Sequence, residues 1–139
     1  MLLVSLPFKV LATLGGDANT PQADQRKMQA TLRVSPGPRY AVHELTLATG
    51  TVVREYVSPQ GQVFAVAWKG PFKPDLRQLM GDYFDRYVQA TPVFRGGHSA
   101  ARVALPGLVV HSTGRTRAFS GHAFVPQLLP AGVAESELR

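Results

Sequence analysis

The histidines of this chain have the side-chain chemistry to bind a metal ion or to transfer a proton. They are His43, His98, His111 and His122, and each comes from a different segment. None belongs to an HExxH motif or to an i, i+4 pair on a predicted helix, which are spacings that place two ligands side by side. The chain has no cysteine, which excludes thiolate ligands, a cysteine nucleophile and disulfides. We therefore predict no metal site.

Nucleotide and nucleic-acid sites have little support in the sequence. The phosphate-binding patterns GxGxxG and GxxxxGKS/T are absent, so no cofactor is predicted. The stretch RAFSGHAFV (residues 117–125) alternates as an RNA-binding strand does, but it lacks the glycine and aromatic positions of that motif. We do not expect nucleic acid to be the partner.

Two carboxylates, Glu44 and Glu55, fall on neighbouring predicted strands and could face each other. Carboxylates that share a site raise the pKa of one partner, and glycosidases use such pairs at about 5–10 Å. This pattern leads to the hypothesis that the protein is a hydrolase whose acidic residues are Glu44 and Glu55. The alternative is that Arg54, His43 or solvent neutralises the two charges.

Ser120 and His122 offer a hydroxyl near an imidazole on one face of a predicted strand. The segment lacks the GxSxG turn that exposes a serine nucleophile. No catalytic residue is predicted from this pair.

The chain is basic, with a formal net charge of +6, and no acidic residue lies between Arg86 and Ala134. Such a field favours contact with anionic lipids, glycans or other polyanions, and the alternative is a solvated basic face that aids solubility. The candidate anion-binding or partner-binding residues within this stretch are Arg95, Arg102, Arg115 and Arg117.

The N-terminal residues 1–12 (MLLVSLPFKVLA) are apolar but too short for a membrane span of about 20 residues. Val10 and Ala12 suit a signal-peptidase cut after Ala12, although no basic start precedes them. We predict the remnant of a signal peptide that begins upstream, and hence a periplasmic or secreted protein. The alternatives are an N-terminal strand or helix packed on the domain, and a cytoplasmic location.

Alternating apolar residues and turn signals predict strands over residues 40–47, 51–57, 62–68, 108–112 and 116–125. The turns are expected at Thr49-Gly50, at residues 58–61 and at Thr113-Gly114, with a bulge at Gly121. Residues 30–34 and 101–104 are candidates for two further short strands, the second at a sheet edge.

One helix is predicted from about residue 74 to residue 90. Apolar residues recur there at i, i+3, i+4 and i+7 from Leu76 to Val88, and Gly81 within it indicates close approach to a neighbour. The predicted fold is α+β: about five antiparallel strands in the order β-β-β-α-β-β, with the amphipathic helix on one face. The other face is expected to be solvated, covered by residues 1–34 or used for binding.

The length of 139 residues fits one domain. We assign residues 13–34 to an N-terminal linker, residues 35–130 to the domain, and residues 131–139 to a tail that frays.

Three segments together resemble the bacterial proteins grouped as domain of unknown function 2844. They are Leu14-Gly15-Gly16, REYVSPQGQVFAVAWKGPFKPDLRQLMGDYF (residues 54–84) and LVVHSTGRTRAFSGHAFVP (residues 108–126). The resemblance covers the chain from about residue 14 to its end. It implies export, with a signal peptide ending just before the Leu-Gly-Gly segment, but it implies no activity, cofactor or catalytic residue.

The sequence thus leaves the biochemical function open. The first hypothesis is a small exported, non-enzymatic binding or interaction domain whose partner is an envelope protein or an anionic polymer. The second is the hydrolase with Glu44 and Glu55, and the third is binding of anionic polymers through the basic second hairpin.

Overall fold

One antiparallel sheet forms the centre of the fold in the computed structural model, which describes residues 14–16, 31–90 and 99–139. Its seven strands lie in the spatial order β1-β2-β3-β4-β7-β6-β5. They are β1 (Thr31–Ser35), β2 (Ala41–Thr46), β3 (Val52–Val57), β4 (Val63–Gly70), β5 (Ser99–Leu105), β6 (Leu108–Arg115) and β7 (Ala118–Phe124).

The α+β class and the antiparallel sheet are confirmed, but the prediction of about five strands is wrong. The two short candidate segments both join the sheet, β1 beside β2 and β5 beside β6. Along the chain, four strands precede the helical region and three follow it. Both extra strands lie at sheet edges and have one neighbour each. β1 is largely exposed, so it lacks the apolar pattern that identifies a central strand.

The helical region is divided rather than continuous. Helix α1 (Leu76–Met80) and helix α2 (Phe84–Ala90) are joined by a 3-10 turn, Gly81–Tyr83. Asp75 caps α1 by accepting a hydrogen bond from the backbone N–H of Gln78 at 3.2 Å. Gly81 adopts a φ of 53°, which glycine tolerates and which ends α1. The predicted single helix over residues 74–90 is therefore corrected.

The helices pack on one side of the sheet, here called the helical face. Leu79 and Met80 are completely buried there against apolar side chains of the central strands. Because the 3-10 turn changes the phase of the apolar stripe, its last residue, Val88, is 52% exposed. Leu14 adds to this core and donates its N–H to the Leu79 carbonyl oxygen at 3.0 Å.

The opposite side of the sheet, the C-terminal face, is partly covered by residues 126–139, the C-terminal segment. Leu138 is 1% exposed and packs among apolar side chains of the sheet, namely Tyr56, Phe64, Ala65, Ala67, Val109 and Phe124. The expectation that residues 131–139 fray is therefore wrong. Leu128, Leu129 and Val133 also pack in part against this cluster. The segment contains two 3-10 turns, Pro126–Leu128 and Glu135–Glu137. Short turns and scattered apolar residues give no extended sequence periodicity.

The hairpin formed by β6 and β7 turns at Thr116 and Arg117, not at Thr113-Gly114. Arg117 takes the positive φ of this turn, at 62°. The β6–β7 register is continuous through Gly121, which pairs with Ser112, so the predicted bulge there is wrong. The predicted turns containing Gly50 and Gly61 are present, and both glycines have positive φ.

In the part of the chain that the structure describes, no helix has the length and apolar character to cross a membrane.

Candidate functional site

A continuous row of polar side chains crosses the C-terminal face. Directly paired residues of antiparallel strands point to the same side of a sheet. Ala67 packs against Leu138 on this face. The strand registers place Ala67 in a row that has charged or imidazole side chains on both sides of it. From edge to edge the row reads Arg33, Glu44, Arg54, Ala67, His122, His111 and Arg102.

A pocket of about 680 Å³ opens where the His-containing half of this row meets the C-terminal segment. One wall is the C-terminal segment, through Ser136, Leu138 and Arg139. Among the described lining residues, Glu135 is the one acidic side chain. The polar lining comprises Lys69, Arg102, His111, Thr113, Ser120, His122, Glu135, Ser136 and Arg139. We refer to this feature as the polar pocket.

His111 and His122 are neighbours on β6 and β7, with ring centroids 5.5 Å apart and the rings edge to face. His122 lies against Glu135, whose Oε1 is 3.0 Å from the imidazole Nε2. His122 also stacks on Phe124 at a centroid distance of 6.3 Å. No motif in the sequence links these two histidines, and the β6–β7 register brings them together.

Glu135 is held between the sheet and the pocket by two partners. Arg102 donates hydrogen bonds to both carboxylate oxygens, from Nη1 to Oε1 and from Nη2 to Oε2, the second at 3.0 Å. These hydrogen bonds are the largest cause of a lowered pKa of Glu135, to about 2, while partial burial opposes the shift and the contact with His122 adds to it. The carboxylate is therefore ionised at neutral pH.

Two hydroxyls and an ammonium group also line the polar pocket. Thr113 Oγ1 and Ser120 Oγ are 2.7 Å apart across β6 and β7. Lys69 pairs with Ser120 in the β4–β7 register, so its exposed side chain begins on the same face. Hydroxyls and an ammonium group are donors suited to the oxygens of an anion.

The predicted arginines have different environments. Arg102 is a wall of the polar pocket and is paired with Glu135. Arg115 and Arg117 are exposed at the end of the β6–β7 hairpin, and Arg115 shares the face of His111 and Thr113 because it follows them at alternate positions. Arg95 lies outside the described residues.

The carboxylate pair of the hydrolase hypothesis is not formed. Glu44 pairs with Arg54 in the β2–β3 register and Glu55 pairs with His43, an offset of one residue that puts the two glutamates on opposite faces. Glu44 accepts a hydrogen bond from Arg54 Nε at 2.9 Å. Glu55 is completely buried on the helical face, where burial also lowers the pKa of His43. This overturns Glu44 and Glu55 as a catalytic pair.

Ser120 and His122 share a face, as alternation predicts, but each has another hydrogen-bond partner. Ser120 is bound to Thr113 and His122 to Glu135, so the hydroxyl is not joined to the imidazole as in a nucleophile–base pair. Within residues 14–16, 31–90 and 99–139, no group of three or more His, Asp or Glu side chains has an arrangement that could hold a metal ion.

Glu135, Ser136 and Arg139 are pocket residues that sequence reasoning did not identify as a site. Lys69 lies near the end of β4, after a run of buried residues, and alternation along that strand places its side chain on the C-terminal face. Glu135 ends the stretch without acidic residues that begins after Arg86. The stretch without acidic residues is visible in the sequence, but it does not show which arginine forms an ion pair with Glu135.

A comparison with protein families matches residues 10–138 to the family described as Protein of unknown function (DUF2844). This confirms the resemblance drawn from the sequence. No curated protein and no solved structure matches the chain.

Proposed function

The chain belongs to the DUF2844 family of proteins of unknown function, and from its geometry we propose that it is a non-enzymatic domain that binds anionic ligands. The observation that carries this proposal is the polar pocket. Cationic, imidazole and hydroxyl groups converge there, and Glu135 is the one acidic side chain among the described lining residues.

The electrostatics beyond the pocket support the same ligand class. Arg115 and Arg117 are exposed, and both lie within a few residues of Thr113 and Ser120 in the chain. A long polyanion that enters the pocket therefore meets further cations. Arg102 contributes less free charge, since Glu135 pairs with it. Lys69 and Arg139 are the other two cationic side chains among the described lining residues. Lys69 stands on the sheet beside Ser120, so we assign it the most direct role in attracting an anion.

Replacing Lys69 with alanine is expected to weaken binding of a heparin-derived oligosaccharide about threefold to tenfold, because one ammonium contact with the polyanion is lost. Lys73→Ala is the matched control. Lys73 is an equally charged, exposed residue that borders a different groove, beside helix α1. Calorimetric titration of the two variants and the wild type measures the difference.

Two results contradict the proposal. One is equal weakening by Lys69→Ala and Lys73→Ala, which would mean diffuse attraction rather than a site. The other is binding whose affinity does not fall between low and moderate salt, since ion pairing with a polyanion releases counterions and depends steeply on salt.

We also propose that the domain acts outside the cytoplasm, in the periplasm or as a secreted protein. The support is the apolar segment that ends in Val10-Leu11-Ala12, a pattern typical of a signal peptidase site. These residues lie outside the described part of the chain. A fusion of the gene, extended upstream of Met1, to a reporter active only in the periplasm is expected to give signal; a reporter that stays inactive would contradict export.

A further inference from the structure

The contact between Glu135 and its two partners joins separate parts of the molecule. Arg102 and His122 project from β5 and β7 of the sheet, whereas Glu135 belongs to the C-terminal segment. A planar guanidinium that donates to both oxygens of a carboxylate is a general way in which proteins recognise carboxylate and phosphate ligands. The sheet thus holds a ready receptor for an oxyanion, and the segment supplies the carboxylate.

This ion pair is accessible to solvent. The side chain of Arg102 is 52% exposed and that of Glu135 is 31% exposed. An incoming carboxylate or phosphate can accept the same two hydrogen bonds from Arg102, so the exchange replaces this contact rather than losing it. The exchange also occurs within reach of the other donors of the polar pocket, among them Lys69 and the Thr113–Ser120 hydroxyl pair.

We propose that Arg102 and His122 form an oxyanion receptor that Glu135 occupies as an internal carboxylate, and that an external carboxylate or phosphate group binds by displacing Glu135. The inference rests on the proposed function and specifies the charged group of the ligand and the residues that hold it. It also explains why an anion site contains an acidic residue.

Displacement of Glu135 leaves other attachments of the C-terminal segment in place. Leu138 is buried in the apolar part of the C-terminal face. Arg39 donates to Glu137 Oε1 at 2.6 Å, and the main-chain N–H of Arg139 donates to Tyr56 Oη at 3.0 Å. The exchange is therefore local and does not require the segment to detach.

The test compares the affinities of inorganic phosphate and of citrate for the wild type and for Glu135→Gln. Glutamine keeps the size of the side chain and removes its charge, so both probes are expected to bind about threefold to tenfold more tightly because the receptor is vacated. Tighter binding of phosphate alone or of citrate alone identifies which oxyanion the receptor takes.

Two further variants distinguish competition from a general change in charge. Glu137→Gln removes an equal charge from the same segment. The Glu137 side chain contacts Arg39 rather than Arg102, so this variant is expected to leave the affinities for phosphate and citrate unchanged. Arg102→Gln combined with Glu135→Gln is expected to abolish the gain. A gain of equal size in Glu137→Gln, or one that survives the loss of Arg102, overturns the inference.

A measurement on the unaltered protein applies even if a variant does not fold. During a phosphate titration of the wild type, the side-chain carboxyl carbon of Glu135 is expected to shift in NMR spectra together with the Arg102 guanidinium. Phosphate binding that shifts Lys69 but leaves the Glu135 carboxyl unchanged overturns the displacement and leaves the proposed function standing. Absence of any binding of anions at the pocket overturns both.

Discussion

Leu138→Ala is expected to lower the free energy of unfolding by about 2–5 kcal/mol, a large effect for a residue next to the end of the chain. Leu138 is 1% exposed, and alanine would leave a cavity against Tyr56 and Phe64, whose ring centroids are 6.1 Å apart. The loss combines the transfer free energy of the removed atoms with the cost of that cavity. Chemical denaturation measures it.

Ser136→Ala is the matched control for this experiment. Ser136 lies in the same segment and is exposed, so its replacement is expected to change stability by less than about 0.5 kcal/mol. If Leu138→Ala is as stable as Ser136→Ala, the C-terminal segment does not anchor on the sheet. The polar pocket would then lose the wall that this segment gives to it.

Gly121→Ala is expected to destabilise the protein by about 1–3 kcal/mol through overpacking. A Cβ atom at this position would lie 2.4 Å from Cζ2 of Trp68 and 2.5 Å from the carbonyl oxygen of His111. Trp68 is 2% exposed within the core of the helical face and has little freedom to move. Thermal and chemical denaturation measure the change.

Gly61→Ala separates this clash from backbone strain. Gly61 has a φ of +83°, and a Cβ atom added there would have no neighbouring atom within 4 Å. Alanine at this position therefore meets strain alone and is expected to cost about 1 kcal/mol.

A Gly121→Ala protein as stable as the wild type would show that Trp68 and the β6 backbone can move apart. The close packing of β4, β6 and β7 beneath the pocket would then be in doubt.

Much of the fold follows from local patterns. The buried run of β4, the turns at Gly50 and Gly61, and the apolar residues around Leu79 identify the central strands and the helical region. The break at Gly81 depends on one φ value, which a smooth apolar periodicity does not reveal. The C-terminal segment resembles a fraying tail in sequence because its attachments, the buried Leu138 and the ion pairs of Glu135 and Glu137, are scattered and have no periodicity.

The site is harder to predict than the fold because it depends on register. With the turn placed at Thr113-Gly114, His111 would lie opposite Thr116, and no imidazole pair results. The turn at Thr116 and Arg117 pairs His111 with His122. The register also separates Glu44 from Glu55, since an offset of one residue reverses the face. The contact of Glu135 with Arg102 is tertiary, and no spacing encodes it.

The polar pocket beside the C-terminal segment is proposed to bind anions, and NMR mapping of inorganic phosphate at constant ionic strength tests this binding most directly. Saturable shifts concentrated at Lys69, Thr113, Ser120 and His122 are the predicted result. Shifts of equal size at exposed arginines elsewhere, such as Arg39 and Arg77, or no saturable shift at the pocket, would contradict it.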